Sequence, residues 1–171
     1  MEILEKIKSS IAEINKKKEQ LTASLRSDFA PMLKPLFEKS KGKITSIGWT
    51  QHTPYFNDGD ECVFSTHMDL DYGLYLNGEM IEEQEGLFGS SAYALSKFGT
   101  PQYDSWIERY PEDKINEETK ESDLFLYSVL KEFQDVLTSI DDSFYKDLFG
   151  DHVKVTVNED GTVETESYEH D

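Results

Sequence analysis

The chain has 171 residues, 37% apolar and 12% aromatic, enough for one domain with a packed core despite a mean hydropathy of -0.62. Its 17 basic and 35 acidic residues leave a net charge of -18, which excludes nucleic-acid binding of the ordinary basic kind. A single cysteine, Cys62, excludes an internal disulfide and a cysteine zinc cage. There is no apolar run long enough to span a membrane, and the stretch from Met1 to Lys6 lacks the apolar core of a signal peptide, so a cytoplasmic protein is expected.

The charge is unevenly placed. Residues 1–43 carry ten basic and six acidic side chains, whereas residues 44–171 carry seven and 29. This divides the chain into a mildly basic helical arm, 1–43, and an acidic body, 44–171, with separate surfaces for separate tasks.

Leu4, Ile7, Ile11, Ile14, Lys18, Leu21 and Leu25 recur at alternating steps of three and four, an a/d heptad seam interrupted once, at Lys18. The seam has two readings. Either two chains pair through Leu4, Ile7, Ile11, Ile14, Leu21 and Leu25 as a homodimer, or the stripe packs on the protein's own body. Pro31 and Pro35 are expected to break this helix, with Ser27 or Asp28 capping a short second one through Leu33, Leu36 and Phe37.

From Ile44 the chain is rich in β-branched and aromatic residues, and Asn57-Asp58-Gly59-Asp60 marks a turn. Strands are expected at Glu61–Met68 and Asp69–Leu76, the second ended by the hairpin pair Asn77-Gly78. Residues 82–121 read as irregular apart from a short helix near Ser91–Phe98. Ser122 or Asp123 then caps a helix with the stripe Leu126, Val129, Leu130, Phe133, Leu137 and Ile140. A short helix ends at Gly150, and a terminal β-hairpin turns at Asn158–Gly161. The sum is an α+β fold: a long N-terminal helix, an antiparallel sheet of three to five strands, a C-terminal helix and a terminal hairpin.

Along the first strand, Trp49, Gln51, Thr53 and Tyr55 share one face. Aromatics beside an amide and a hydroxyl suit a binding face, because they give contact area at low entropic cost together with directional hydrogen bonds. The same pattern also describes a core strand. The candidate partner-binding residues are Trp49, Gln51, Tyr55, Asn57, Asp58 and Asp60, together with the acidic Glu117, Glu118, Glu121 and Asp123.

No catalytic constellation stands out. The four histidines, at 52, 67, 152 and 170, show no zinc spacing. Asp58, Asp60 and Glu61 share a turn and Asp69 and Asp71 a strand face, but Gly73 and Met80 stand where a calcium loop needs ligands. No metal, no cofactor and no enzyme activity are expected.

The string Trp49-Thr50-Gln51, Thr53-Pro54-Tyr55-Phe56-Asn57-Asp58-Gly59-Asp60, followed by Cys62 and Phe64, resembles a family of small acidic tailed-phage proteins with no assigned chemistry. The stretches Gly150–Val157 and Tyr168–Asp171 are similar to the ends of such proteins. The resemblance implies a phage-type protein acting in a bacterium as an inhibitor or modulator of a host factor. It brings no catalytic residue. The expected partner is a host protein with a basic surface, such as a nucleic-acid enzyme whose groove the carboxylates occupy in imitation of nucleic acid. Direct nucleic-acid or membrane binding is not expected. Two alternatives stand beside this: a small-ligand or nucleotide-binding protein using the Trp49–Asp60 face, and a metal-dependent enzyme.

Overall fold

The computed structural model describes residues 2–56, 59–70, 73–81 and 87–169. In chain order the elements are α1 (Glu2–Lys39), β1 (Ser46–His52), β2 (Ser65–His67), β3 (Tyr75–Leu76), β4 (Glu79–Met80), α2 (Ala92–Lys97), α3 (Pro101–Arg109), α4 (Lys120–Thr138), α5 (Asp142–Phe149), β5 (Val153–Asn158) and β6 (Val163–Ser167). A 3-10 turn at Pro111–Asp113 links α3 to the approach of α4. The architecture is α+β, as the sequence patterning predicts. No described helix is long and apolar enough to cross a membrane.

The helix α1 does not break at its prolines. It runs unbroken for 38 residues with Pro31 and Pro35 inside it. Each proline removes a backbone donor and costs about 3 kcal/mol in a helix interior. Both prolines face solvent, while Phe29, Ala30, Leu33 and Phe37 on the other side are buried. Burying a large apolar side chain contributes about 1.5–3 kcal/mol, so the core contacts of this turn-by-turn stripe offset the lost hydrogen bonds. The end of α1 is closed by buried Ser40, whose hydroxyl donates to Phe37 O (2.7 Å) and accepts from Ile44 N (3.1 Å). Residues 29–37 therefore share one core with the body, and the division at residue 43 does not separate two cores.

The sheet has six antiparallel strands in the order β4-β3-β1-β5-β6, with β2 also paired to β1. The terminal hairpin β5-β6 is part of it, and β3 and β4 form a two-residue hairpin of their own. Asn77 (φ 52°) and Gly78 (φ 92°) supply the left-handed turn that this hairpin requires. Asn77 also locks the turn to the β1 entrance, accepting from Thr45 N (2.8 Å) and donating to Lys43 O (3.0 Å). Within the expected strands Glu61–Met68 and Asp69–Leu76, the strand segments among the described residues are Ser65–His67 and Tyr75–Leu76 alone. Cys62 lies in a loop and is half-buried, not in a strand.

The central strand β1 decides which side chains enter the core. Ile47, Trp49 and Gln51 are fully buried toward α1, α4 and α5. Trp49, Phe29, Tyr145 and Phe149 make an aromatic cluster with centroids 5.4–6.0 Å apart for the Phe29 and Trp49 pairs. On the opposite face Gly48 lies under Tyr75, and a Cβ there would stand 2.7 Å from Val155 O.

A smaller apolar cluster, Ala94, Leu95 and Ile115, joins α2 and α3 to α4. The α3 helix falls in the stretch read as irregular, and Pro101 opens it at the first helical position. The helix α4 starts at Lys120, earlier than expected. The two expected caps both lie inside it: Ser122 is exposed, and Asp123 is buried and accepts from Thr119 Oγ1 (2.7 Å), Ser90 Oγ (2.8 Å) and Gly89 N (3.2 Å).

Candidate protein-binding surfaces

The proposed binding face divides at β1. Trp49 and Gln51 are core residues, which corrects the expectation that they face a partner. The reason is a closed polar network. Trp49 Nε1 donates to Gln51 Oε1 (3.0 Å), and Gln51 Nε2 donates to Tyr145 O (3.1 Å) and Gly150 O (2.6 Å). Tyr145 lies in the last two turns of α5 and Gly150 is the residue that ends it. The amide thus caps a helix end from across the core. The phenol of Tyr145 donates to Leu137 O (2.7 Å), and burial, with the nearby charge of Asp142, pushes its pKa well above the usual range. Asp123 is likewise withdrawn from the acidic surface by its three hydrogen bonds. Trp49 and Gln51 are thus withdrawn from the surface.

After His52 the chain leaves the sheet as a loop, 53–64, with both stems fixed. Thr53 donates to Asp151 through its backbone N–H and its hydroxyl, each at 2.7 Å. Lys146 of α5 bridges the pair, 2.9 Å from Asp151 and 3.3 Å from Thr53 Oγ1, and lies 5.1 Å above the Phe64 ring. Thr66 donates to Asp142 at 2.6 Å on the returning side. Partial burial alone would raise the Asp151 pKa. The hydrogen bonds from Thr53 and Lys146, with the lysine charge, outweigh it and hold the carboxyl well below the usual carboxylate range.

Between these stems the tip presents large apolar side chains to solvent. Tyr55 is 65% exposed, Phe56 79% and Val63 68%. Exposed Asp60 and Glu61 lie on the same loop. Of the sequence-predicted residues here, Tyr55 and Asp60 are at the surface, while Asn57 and Asp58 lie outside the described residues.

Beside the loop stands a feature that sequence spacing does not reveal. Tyr55 stacks on His152 (4.8 Å, 7°), and His52 is 6.4 Å from His152 and stacks on His67 (4.7 Å, 19°), with Tyr168 5.7 Å from His52. Strand pairing assembles this column. Gln51 opposite Val153 brings His52 beside His152, and Thr50 opposite His67 brings in the third ring. The rings lie face to face, so their nitrogens do not converge, and no group of three metal-ligating side chains is arranged to hold an ion among the described residues. The adjoining cleft, lined by Thr50, His52, His67, Tyr75, Met80 and Tyr168 among others, holds about 160 Å³. That is below the ~300–1,000 Å³ of ordinary ligand sites.

Two further surfaces complete the picture. Glu117, Glu118 and Glu121 are exposed at the entrance to α4, where Lys120 pairs with Glu117 at 3.4 Å. They come with exposed Asp104, Glu108 and Glu112 from the preceding helix and turn. Along α1 the heptad seam is uncovered over most of its length. Ile3, Leu4, Ile7, Ile11, Ile14 and Leu21 are 51–76% exposed, and Leu25 alone among the seam residues packs on the core. No protein-family model, no curated protein and no solved structure matches this chain.

Proposed function

We propose that this protein works by binding, without catalysis, and modulates a partner protein that has a basic surface. The anchored loop 53–64 is its contact centre. The observation that carries this reading is the combination of two fixed stems with Tyr55, Phe56 and Val63 presented to solvent beside Asp60 and Glu61. Binding energy at protein interfaces concentrates in a few aromatic anchors held by a rigid scaffold. Fixed stems reduce the entropy lost on docking, and surrounding charge accelerates encounter with a basic surface.

The acidic helices support the same reading. Glu117, Glu118 and Glu121 offer exposed carboxylates for steering, whereas Asp123 does not. The resemblance to acidic tailed-phage proteins supports a bacterial cytoplasm as the setting and a host factor as the partner. Nucleic-acid enzymes carry basic grooves suited to a polyanion.

The test is capture from bacterial lysate, comparing the natural chain with a Tyr55→Ser/Phe56→Ser variant at low and high salt. The reading expects one stoichiometric protein, depleted about tenfold or more by the double substitution and weakened by salt. Equal capture by the variant overturns the loop as contact centre.

A further inference from the structure

We infer that the overhanging part of α1 is a self-association surface that pairs antiparallel with the same segment of a second copy. This rests on α1 alone, so it stands or falls separately from the loop reading. At 100° per residue, Leu4, Ile7, Ile11 and Ile14 fall on an arc of about 80°, and Lys18, Thr22, Leu25 and Phe29 fall on that same arc. It is one continuous stripe. From Lys18 onward α5 lies alongside it: exposed Lys18 bonds Asp147 of α5 at 3.1 Å, Thr22 is half-buried, Arg26 lies over Phe149, and Leu25 and Phe29 enter the core, while Leu21 at the margin stays exposed. Before Lys18 the same stripe is exposed for about 15 Å, from Leu4 to Ile14.

That continuity fixes the orientation. Paired helices lie about 8–10 Å apart with their stripes facing. In a parallel pair, the second helix would run on past Lys18 into the α5 edge at Asp147 and Leu148, which in each copy borders the stripe there and closes it from Leu25. An antiparallel pair puts the two bodies at opposite ends. Leu4 then faces Ile14 of the second copy and Ile7 faces its Ile11, giving four apolar a–d layers about a two-fold axis. Lys18 falls outside these layers and stays on Asp147, so the one polar interruption of the seam marks where the interface stops. This chain's own residues close all four layers, which is the argument for a second copy as occupant. The paired stretch is short, so the dimer is concentration-dependent. Lys8 is the only charge flanking the layers, and it faces its own copy across the axis. Salt therefore leaves self-association unchanged or strengthens it, the reverse of its expected effect on partner capture.

The test is sedimentation of the full chain from micromolar to near-millimolar concentration, with disulfide trapping in a Cys62→Ser background. A mixture of Leu4→Cys and Ile14→Cys chains should give mainly the mixed disulfide, and Ile11→Asp/Ile14→Asp should be monomeric with an unchanged circular-dichroism spectrum. These positions are exposed, so the variants test association and not folding. A monomer at every concentration overturns the inference, as does a dimer untouched by the aspartates. So does preferential Ile14→Cys homodisulfide, which reports parallel pairing, and so does seam-dependent capture of a foreign helix by a chain that stays monomeric.

Discussion

Replacing Gln51 by leucine separates a core role from a surface role. The natural amide joins three partners: Trp49 Nε1, Tyr145 O and Gly150 O. Leucine fills similar space but satisfies none of them. Trp49 Nε1 loses its partner in a buried position and Gly150 O in a partly buried one, while Tyr145 O keeps its place in the α5 ladder. An unsatisfied buried group costs about 1–3 kcal/mol. Offsetting the sum over these two groups by the apolar gain of leucine leaves a destabilisation of about 2–4 kcal/mol. Domains of ordinary stability hold only about 5–15 kcal/mol. At about 2–4 °C per kcal/mol for this chain length, the melting temperature should fall by roughly 4–16 °C. Urea unfolding followed by circular dichroism measures this as a lower midpoint at unchanged slope. Phe56→Ser is the control. That side chain is 79% exposed, and the substitution should change stability by no more than about 0.5 kcal/mol. A Gln51→Leu effect below about 1 kcal/mol would refute the network as a structural clamp.

Two further predictions concern the sheet and the loop base. Asp151 has a folded-state pKa held below its unfolded value of about 3.9, so its stabilisation is present above that pH and is lost as pH falls through the folded pKa. Asp151→Asn should lower stability by about 1–2 kcal/mol at neutral pH and flatten acid unfolding below about pH 4; unchanged curves in acid and at neutrality count against the anchor. Gly48→Ala should destabilise by about 1–3 kcal/mol, since its new methyl would meet the Val155 carbonyl backbone at 2.7 Å and not a movable side-chain tip. A neutral effect in thermal melts would show that β1 and β5 can separate at no expense.

The elements with strong periodicity were legible in the chain itself. The stripe from Leu126 to Ile140, the Asn77-Gly78 hairpin and the terminal hairpin all follow from local chemistry. The continuation of α1 through Pro31 and Pro35 was not, because its cause is tertiary: the buried stripe Phe29, Leu33 and Phe37 outweighs the local penalty. Alternation in β1 separates two sets of side chains but does not say which set points inward. The chemistry of Trp49 and Gln51 suits a binding face, yet the same amide suits the end of α5. The ring column of His52, His67, His152 and Tyr55 depends on strand register between segments a hundred residues apart, which spacing along the chain does not carry. Tyr55 and the exposed carboxylates Asp60, Glu117, Glu118 and Glu121 were readable because polar and aromatic residues in turn-rich, acidic stretches stay at the surface.

The most direct test of partner binding through an apolar loop tip within an acidic surround is the affinity for the purified captured protein as a function of salt. It needs three chains: natural, Tyr55→Ser/Phe56→Ser, and Glu117→Gln/Glu118→Gln/Glu121→Gln. The account predicts that the loop variant binds more weakly at every salt concentration with the same salt slope. The glutamine variant should bind more weakly mainly at low salt, with a flatter slope. Affinities that coincide for all three chains would contradict it.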